Sequence, residues 1–329
     1  MRYTKPYLTV DQQLEQLQQR GLGVTDRVRA RDALCRIGYY RLSGYWYPFR
    51  VSEHQVVDRI RQTIVGDAFK PGVEFRHIVD LYVFDKTLRM VLLDAIERVE
   101  IGLRSSVALR MGQYGAWPHR DPTLLDGKFS RRADFRTGRV PHQVWLEKLD
   151  QEFLRSNEQF AVHYRAKYDD PPPIWIVTEV WDFGMLSRFY AGLAFKDRKA
   201  IAEEYGLTDP QMLEAWLKAI NFLRNVCAHH TRLWNRALVR QGQFPGRGDI
   251  PMLDHLVNEP ARQTRLYGTA AALRYLLLKI NPTTSWPLRL KAVLETFPAA
   301  PYISLGQTGF PVDWHELPLW QVAMRQEMA

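Results

Sequence analysis

The chain has 329 residues, 46% of them hydrophobic and 25% charged, a balance that predicts a globular protein with a sizeable core and excludes a disordered chain. Lysine and arginine total 45 against 36 acidic residues, and the net charge of +9 favours anionic partners such as nucleic acid or an acidic membrane surface. No run of about 18 apolar residues predicts a membrane span, and residues 1–10 lack the apolar core of a signal peptide.

The N-terminal part predicts two helices followed by an aromatic segment. Thr9 and Gln12 have the spacing of a capping box, which opens a helix that ends before Gly21. A second helix is predicted over about 26–37. Residues 38–49 carry two glycines and a dense aromatic patch. We interpret them as a packed turn region, with stacking on RNA bases as the alternative.

The middle of the chain predicts longer helices. Over about 74–110 apolar residues recur at spacings of three and four, which indicates one long amphipathic helix or two end to end. Residues 112–141 contain Gly, Pro and a basic run and are expected to form a long loop. A helix follows over about 142–167. Three consecutive prolines end it and precede a helix that begins near Ile174 and carries Trp175, Val180, Leu186 and Tyr190.

The helix that begins near Pro210 carries the candidate chemistry, and residues 240–252, rich in Gly and Pro, interrupt the chain after it. At least one more helix is predicted over about 258–279. Alternation typical of strands is scarce and no repeat of fixed period stands out. We therefore predict an all-α fold, a helical bundle with extensions at both ends.

The stretch 221–236 divides cleanly into a polar and an apolar side. If it forms one straight helix that advances about 100° per residue, the polar side chains occupy an arc of about 160°. That arc has no Asp, Glu or Lys, whereas a solvated helix face normally mixes both signs of charge. Its donors suit phosphate oxygens. The arc consists of Thr231, Arg224, Asn235, Ala228, Asn221, Arg232, Asn225, Arg236 and His229.

The two adjacent histidines lie on different sides of this helix when it is drawn as a helical wheel. His229 lies at the edge of the polar arc and is the candidate for acid–base chemistry, because an imidazole titrates near neutral pH. His230 lies in the apolar arc, which favours a buried core histidine over a supporting role in the site. Asn225, four residues before His229, is placed to hydrogen-bond one ring nitrogen and fix the tautomer.

Arg224, four intervening residues and His229 match the motif of HEPN ribonucleases, and the continuation over 230–235 resembles the Abi-like (abortive infection) family of bacterial phage-defence proteins. The lone motif occurs by chance in many helices, whereas ordered blocks over about 5–238 are specific. No family is suggested beyond residue 240. The other blocks similar to the Abi-like family are KPYLTVDQQLEQLQQRGL at 5–22, IGYYRLSGYWYPFR at 37–50, LYVFDKTLRMVLLDAIERVEIGLRSS at 81–106 and WIVTEVWDFGMLSRFYAGL at 175–193.

The resemblance implies a HEPN-like helical bundle that cleaves RNA without metal or cofactor, with the Arg and His of two facing helices forming one site, usually across a homodimer. It suggests an N-terminal helical and aromatic segment (1–72), a HEPN-like core (73–240) and a C-terminal helical extension (241–329). Because Arg224 and His229 are about 140° apart on one helix, two antiparallel helices about a two-fold axis would bring Arg224 of each chain near His229 of the other.

In the implied reaction the RNA 2′-hydroxyl attacks the adjacent phosphate while His229 removes its proton. The second His229 protonates the leaving 5′-oxygen, and Arg224 stabilises the charge on the phosphorane. The products carry a 2′,3′-cyclic phosphate and a 5′-hydroxyl. Asn225 is assigned to the catalytic set with Arg224 and His229, and the candidates for supporting roles are His230, Arg232, Asn235, Arg236 and Asn221.

Two weaker signals lie outside this helix. A basic run in the 112–141 loop, opposed only by Asp134, is either a solvated mobile loop or a contact to the RNA backbone; its arginines are Arg131, Arg132, Arg136 and Arg139. Glu100 and Arg104, at helical spacing, form either an ordinary surface pair or a brace for the catalytic arginine.

Cysteine and metal chemistry are disfavoured. Cys35 and Cys227 cannot build a disulfide framework or a four-ligand zinc site, so we expect a reducing, cytoplasmic location. Cys227 lies on the apolar side of the wheel, opposite His229, which argues against a thiol nucleophile. No His-rich cluster predicts a metal site.

Non-enzymatic functions remain as alternatives. The same arc could bind a structured RNA without cutting it, or the protein could act as a toxin–antitoxin component or a helical scaffold. The intact Arg224 and His229 favour the enzyme, and a scaffold has no need to exclude acidic residues from the arc. The expected partners are RNA and a second copy of the chain, with an antitoxin or a small regulatory RNA as further candidates and no membrane.

Overall fold

Helices make up most of the computed structural model, which describes residues 2, 4, 6–57, 60–238 and 244–322. This confirms the all-α prediction. The α-helices are α1 (Val10–Gln19), α2 (Arg27–Ile37), α3 (Tyr39–Trp46), α4 (Phe75–Gly112), α5 (Gly127–Ser130), α6 (Pro141–Arg155), α7 (Gln159–Lys167), α8 (Ile174–Val177), α9 (Phe183–Gly192), α10 (Phe195–Glu204), α11 (Pro210–Ala228), α12 (Pro260–Gln263), α13 (Leu266–Ile280) and α14 (Trp286–Glu295). The two strands are β1 (Arg50–Val57) and β2 (Ile60–Phe69).

The first two helices begin where local sequence predicts. Thr9 and Gln12 form a reciprocal capping box at α1, with the Thr9 amide donating to Gln12 Oε1 at 2.9 Å. Asp26 caps α2 by accepting from the Arg29 amide at 2.9 Å. Gly38, at φ +92°, ends α2 and allows the chain to turn directly into α3.

The aromatic segment 38–49 is helical, so its prediction as a turn region was wrong. It forms α3 and a 3-10 helix at Tyr47–Phe49, and its rings pack: Tyr45, Trp46 and Phe49 are buried. Burial of these rings against α4 outweighs the two glycines, because tertiary packing commonly overrides helix propensity. The antiparallel hairpin of β1 and β2 follows, and it is the only sheet in the part of the chain described.

The predicted long amphipathic helix is one continuous helix, α4, of 38 residues. Its apolar stripe is fully buried at Leu81, Leu88, Leu92 and Val99. Helices α3, α11, α13 and α14 all pack against it, so α4 forms the centre of the bundle and links the N-terminal, middle and C-terminal parts. The proposed division into three segments stays a prediction.

Two predicted helices are interrupted. The helix expected over 142–167 is divided into α6 and α7, because residues 156–158 leave the helical conformation. The helix expected from Ile174 stops after α8 and a 3-10 turn at Thr178–Val180, and Asp182 starts α9 by accepting from the Met185 amide at 2.7 Å. An aspartate that caps a new helix favours a break at that point.

The long connection over 112–141 is largely irregular, as expected, with a 3-10 helix at Pro122–Leu124 and the short α5 inside it. The helix expected over 258–279 divides into α12 and α13, and α14 follows. No helix among the described residues is long and apolar enough to cross a membrane.

Candidate functional site

Helix α11 places the candidate motif on the surface of the bundle. Asp209 caps it by accepting from the Gln211 amide at 2.8 Å, and Pro210 occupies the first helical position. One face packs against α4, α9, α10 and α13 through buried leucine, isoleucine and tryptophan side chains. Asn221 and Arg224 are half-buried and Asn225 is exposed, so the polar side is accessible as predicted.

The helix ends at Ala228, and the predicted continuation to residue 236 was therefore wrong. The Thr231 amide donates to the Val226 carbonyl and the His230 amide to the Cys227 carbonyl, both at 3.1 Å. This pair of bonds is a Schellman motif, which places the residue after the cap in the left-handed region. His230 takes that position, at φ +55°.

His229 lies where the helical wheel predicted it, whereas His230 does not. His229 is the cap residue, and its amide still donates to the Asn225 carbonyl at 3.0 Å, so its place relative to Arg224 follows the helix. Its side chain is exposed. His230 is also exposed, not buried, because the chain reverses at its positive φ. The interpretation of His230 as a core residue was wrong.

Asn225 does not orient the imidazole of His229 within this chain. Its side-chain oxygen accepts from Arg224 Nη1 at 3.4 Å, a long contact between adjacent residues. Among the described residues no hydrogen bond joins the Asn225 side chain to His229. The expectation that Asn225 fixes the His229 tautomer is therefore not met within one chain.

The segment 230–235 is held against α3 and α4 through its backbone. Arg41 donates from Nη1 to the His230 carbonyl at 2.6 Å, and Arg89 Nη1 donates to the Thr231 carbonyl at 3.3 Å. Arg232 reaches in the other direction and donates to the Gly44 carbonyl. These bonds are made by side chains far away in sequence, and they fix the conformation that follows His229.

Asp85 is the centre of this clamp and is completely buried. Its carboxylate accepts from the amides of Leu233 (3.1 and 3.2 Å) and Trp234 (2.8 Å) and from the Tyr45 hydroxyl at 2.8 Å. It also pairs with Arg89, one turn later on α4. Every polar neighbour named here donates to Asp85, so the site accommodates the ionised carboxylate.

The pKa of Asp85 reflects opposing influences. Burial has the largest effect and leaves the pKa above its usual value, although the charge of Arg89, the Tyr45 hydroxyl and the two loop amides act to lower it. Burial also raises the pKa of Tyr45, with the charge of Asp85 adding to the shift. The phenol therefore stays protonated and can donate to Asp85 while its oxygen accepts from Arg89 at 3.0 Å.

Arg224 faces an acidic pair on neighbouring helices. Burial raises the pKa of Asp182, but hydrogen bonds from Lys148 and the Met185 amide and the positive charges of Lys148 and Arg224 outweigh it, leaving that pKa below its usual value. For Glu100 burial has the larger effect and leaves the pKa above its usual value, although the charges of Arg104 and Arg224 act to lower it. Asp182 and Glu100 thus contribute negative charge near Arg224, but among the described residues neither carboxylate forms an ion pair with its guanidinium, whose one hydrogen bond is to Asn225.

Glu100 and Arg104 form an i,i+4 ion pair on α4, and both side chains are largely buried. Arg104 also donates to the Trp181 carbonyl, directly before the Asp182 cap of α9. The pair therefore connects α4 with the start of α9 and places the Glu100 carboxylate where Arg224 interacts with it. The pair is therefore not an ordinary exposed surface pair, and its role as a brace for Arg224 stays a prediction.

The remaining predicted residues divide into two groups. Asn221 faces Gly184 of α9, where an added Cβ would lie 3.6 Å from both amide atoms of Asn221. Arg232 and Asn235 face the protein interior: burial lowers the pKa of Arg232, and the Asn235 carbonyl accepts from Arg265 at 2.7 Å. Arg236 is half-buried. Arg232 and Asn235 therefore hold the segment after α11 in place, whereas Asn221 lines the accessible side.

The basic run lies in an ordered, exposed turn before α6. Asp134 accepts from the Arg136 and Thr137 amides, both at 3.0 Å, and its backbone amide donates to the Arg139 carbonyl at 2.9 Å. Arg139 also pairs with Glu147 on α6. Arg131 and Arg132 are exposed, and the Arg136 guanidinium lies 5.2 Å from the centre of the exposed Phe135 ring. Contact with RNA stays a prediction.

Cys227 is buried, on the side of α11 that the wheel assigned to it. Burial raises the pKa of its thiol to about 12, so it stays protonated at neutral pH. Within the described ranges no group of three or more His, Cys, Asp or Glu side chains is placed to hold a metal ion.

The clamp residues Asp85, Arg89, Tyr45 and Arg41 were not predicted from the sequence. A signal was present: Asp85 and Arg89 lie on the buried stripe of α4, between Leu81 and Leu92, where ionisable residues are rare unless paired. Their spacing of four residues allowed the pair to be inferred. Its partners in the 230–235 segment could not be inferred, because the contact spans 148 residues.

The profile of the Abi-like protein family matches residues 32–235, which is more than half of the chain. The match includes α3, α4, α9 and α11, and so contains both the candidate motif and the clamp. It excludes residues 5–22, one of the blocks that had suggested the family. No curated protein and no solved structure matches the chain. The chain belongs to the Abi-like protein family.

Proposed function

We propose that the protein is a metal-independent endoribonuclease that acts in abortive infection. The observation that supports this most directly is the end of α11: an exposed His229 on a fixed helix terminus, five residues after a half-exposed Arg224. An exposed imidazole can exchange protons with a substrate near neutral pH. The Arg224 guanidinium makes one long hydrogen bond, to Asn225 at 3.4 Å, and no ion pair with any described residue, so it can present its other donors to a phosphate.

In the proposed reaction His229 takes the proton from the RNA 2′-hydroxyl as that oxygen attacks the adjacent phosphorus. The bond from phosphorus to the 5′-oxygen then breaks, and the leaving oxygen receives a proton from a second His229. Arg224 stabilises the additional negative charge on the phosphate oxygens in the transition state. The products are a 2′,3′-cyclic phosphate and a 5′-hydroxyl, and no metal takes part in this sequence.

Two chains are proposed to form one site. His229 follows Arg224 by five residues, a rise of about 7.5 Å and a rotation of about 140° around the axis. A single helix therefore presents the two side chains in different directions. Two copies of α11 packed antiparallel about a two-fold axis would place each Arg224 beside the other chain's His229.

The deciding experiment incubates the purified protein with end-labelled RNA in excess EDTA and maps the product ends. We expect cyclic-phosphate ends from the wild type and a loss of at least about a hundredfold in rate from His229→Ala, the lower range for removal of an acid–base catalyst. His163→Ala is the matched control, because His163 is an exposed histidine on α7, outside α11. Cleavage that stops in EDTA and returns with magnesium would contradict the mechanism.

A second experiment tests the attacking group and the assembly. RNA with one 2′-deoxy nucleotide at the cut site should survive, whereas substitution elsewhere should leave cleavage intact. Specific activity should fall on dilution below the dimer dissociation constant measured by sedimentation. Full activity of a monomer would remove the two-chain site, and binding of RNA without any cleavage would favour the alternative of a non-catalytic RNA-binding module.

The biological role is proposed from the family, whose name refers to abortive infection. In that role the ribonuclease would cleave cellular or phage RNA after infection. Bacteria expressing the wild type should release fewer phage per infected cell than bacteria expressing His229→Ala at equal protein levels. Equal release from both strains would separate any ribonuclease activity from defence.

A further inference from the structure

A cleft of about 460 Å³ opens beside the polar side of α11, between that helix, α6 and α9. Among the described residues that line it are three cations, Lys148, Arg188 and Lys218, and none is acidic. Asn221 lines it as well. Basic side chains that line a cleft attract anions to it.

The three cations differ in whether they form ion pairs within the chain. Lys148 pairs with Asp182 at 2.6 Å and Lys218 with Glu214 at 2.5 Å, and each lysine side chain is 47% exposed. Arg188 is exposed on α9 and makes no ion pair or hydrogen bond with any residue in the described part of the chain. The Asn221 amide is likewise without a hydrogen bond among these residues. Arg188 and Asn221 therefore keep their donors for a ligand.

The cleft and the candidate motif share helix α11, which contributes Lys218 and Asn221 to the cleft. Lys218 precedes Arg224 by six residues and His229 by eleven, rises of about 9 and 16 Å along the helix. Asn221 lies one turn before Arg224, and Asp182, which pairs with Lys148, also interacts with Arg224. A strand with its reacting phosphate at Arg224 would pass its neighbouring phosphates into the cleft.

We propose that this cleft binds backbone phosphates of single-stranded RNA a few nucleotides from the bond that is cut. Arg188 makes the main contact, and Lys148, Lys218 and Asn221 complete the binding site. The contact is to phosphate and carries no base specificity. This inference rests on the proposed function in taking RNA as the ligand, but binding to the cleft does not require cleavage.

The test measures affinity for a 2′-O-methyl RNA oligonucleotide, which lacks the attacking hydroxyl and cannot be cut, by fluorescence anisotropy over a range of salt concentrations. Each phosphate contact on a single strand contributes about 0.7 to the slope of log affinity against log salt. Arg188→Ala should lower that slope by about 0.7, and Arg188→Lys should keep it. Arg29→Ala is the control: its side chain is 90% exposed, and its helix α2 packs against α1, α3 and α4.

The outcomes separate the two proposals. A wild type that binds the oligonucleotide through Arg188 but cuts no RNA supports the cleft and contradicts the ribonuclease. A wild type that cuts RNA while Arg188→Ala keeps the full slope overturns the cleft. The cleft proposal also fails if the wild type does not bind the oligonucleotide, if Arg29→Ala lowers the slope equally, or if polyglutamate of the same charge displaces the RNA as well as unlabelled RNA does.

Discussion

Replacement of Asp85 by asparagine tests whether the buried clamp holds the segment that follows His229. The asparagine oxygen can still accept from the Leu233 and Trp234 amides, but its NH₂ group meets the donors of Tyr45 and Arg89. The main consequence is that Arg89, 4% exposed, loses its counter-ion. Breaking a buried pair by removing one partner costs about 3–5 kcal/mol.

We therefore expect Asp85→Asn to lower the free energy of unfolding by about 3–5 kcal/mol in urea titrations followed by circular dichroism. The matched control is Asp94→Asn on the same helix, where Asp94 pairs with Arg98 and Arg289 at the surface. Exposed pairs of this kind contribute about 1 kcal/mol or less. Equal effects of the two substitutions would refute the clamp.

A second variant identifies which group causes the loss of stability in Asp85→Asn. If the stranded charge of Arg89 causes the loss, Asp85→Asn combined with Arg89→Met should be more stable than Asp85→Asn alone, because the uncompensated cation is gone. If the loss comes from the loop amides, the second substitution should bring no recovery. Cleavage activity of the double variant then reports whether the loop alone can position His229.

Three further predictions follow from burial and backbone geometry. Thiol labelling at pH 7 should modify the exposed Cys35 and spare the buried Cys227, whose pKa is raised to about 12, until urea unfolds the chain; rapid labelling of both would contradict the burial. Burial, with the charges of Arg120 and His142, lowers the pKa of His119 from 6.5 to about 3. Below pH 6.5 the unfolded chain therefore binds a proton at this histidine that the native state does not bind. The free energy of unfolding should fall as pH falls from 6.5 towards 3, by about 2 kcal/mol at pH 5. His119→Leu should remove this part of the pH dependence, and a variant with the wild-type pH profile would refute the prediction. At the positive φ of His230, His230→Gly should keep or raise the melting temperature and His230→Val should destabilise by about 1–2 kcal/mol; equal melting temperatures would refute the left-handed cap.

Local sequence was sufficient to predict a helix wherever the helix is long or its first residues supply the N-cap. The capping box at Thr9, the cap at Asp26 and the apolar period of α4 all gave elements that the structure contains. In each case the deciding interactions lie within about four residues, which is the range over which helical periodicity and capping act. The all-α class follows from the same signals.

The breaks were harder to predict because tertiary contacts decide them. The 38–49 segment is helical because Tyr45 and Trp46 are buried in the bundle. Its two glycines favoured a turn in the local sequence, and this packing could not be inferred from them. Asp182 was read as part of a helix, although it caps a new one. Its carboxylate also interacts with Lys148 and Arg224, so the break at Asp182 places an acidic group next to the candidate site.

At the end of α11, local sequence predicts the candidate site only as far as His229. The backbone stays helical through His229, so the rise and rotation between Arg224 and His229 can be calculated from the sequence. From His230 onwards the conformation depends on Arg41, Asp85 and Arg89, and no glycine marks the left-handed turn. A His at this position is strained by itself, so the clamp on the neighbouring carbonyls and amides compensates for that strain. The proposed reactive pair is thus encoded locally, whereas the rigidity of the segment beside His229 comes from α3 and α4.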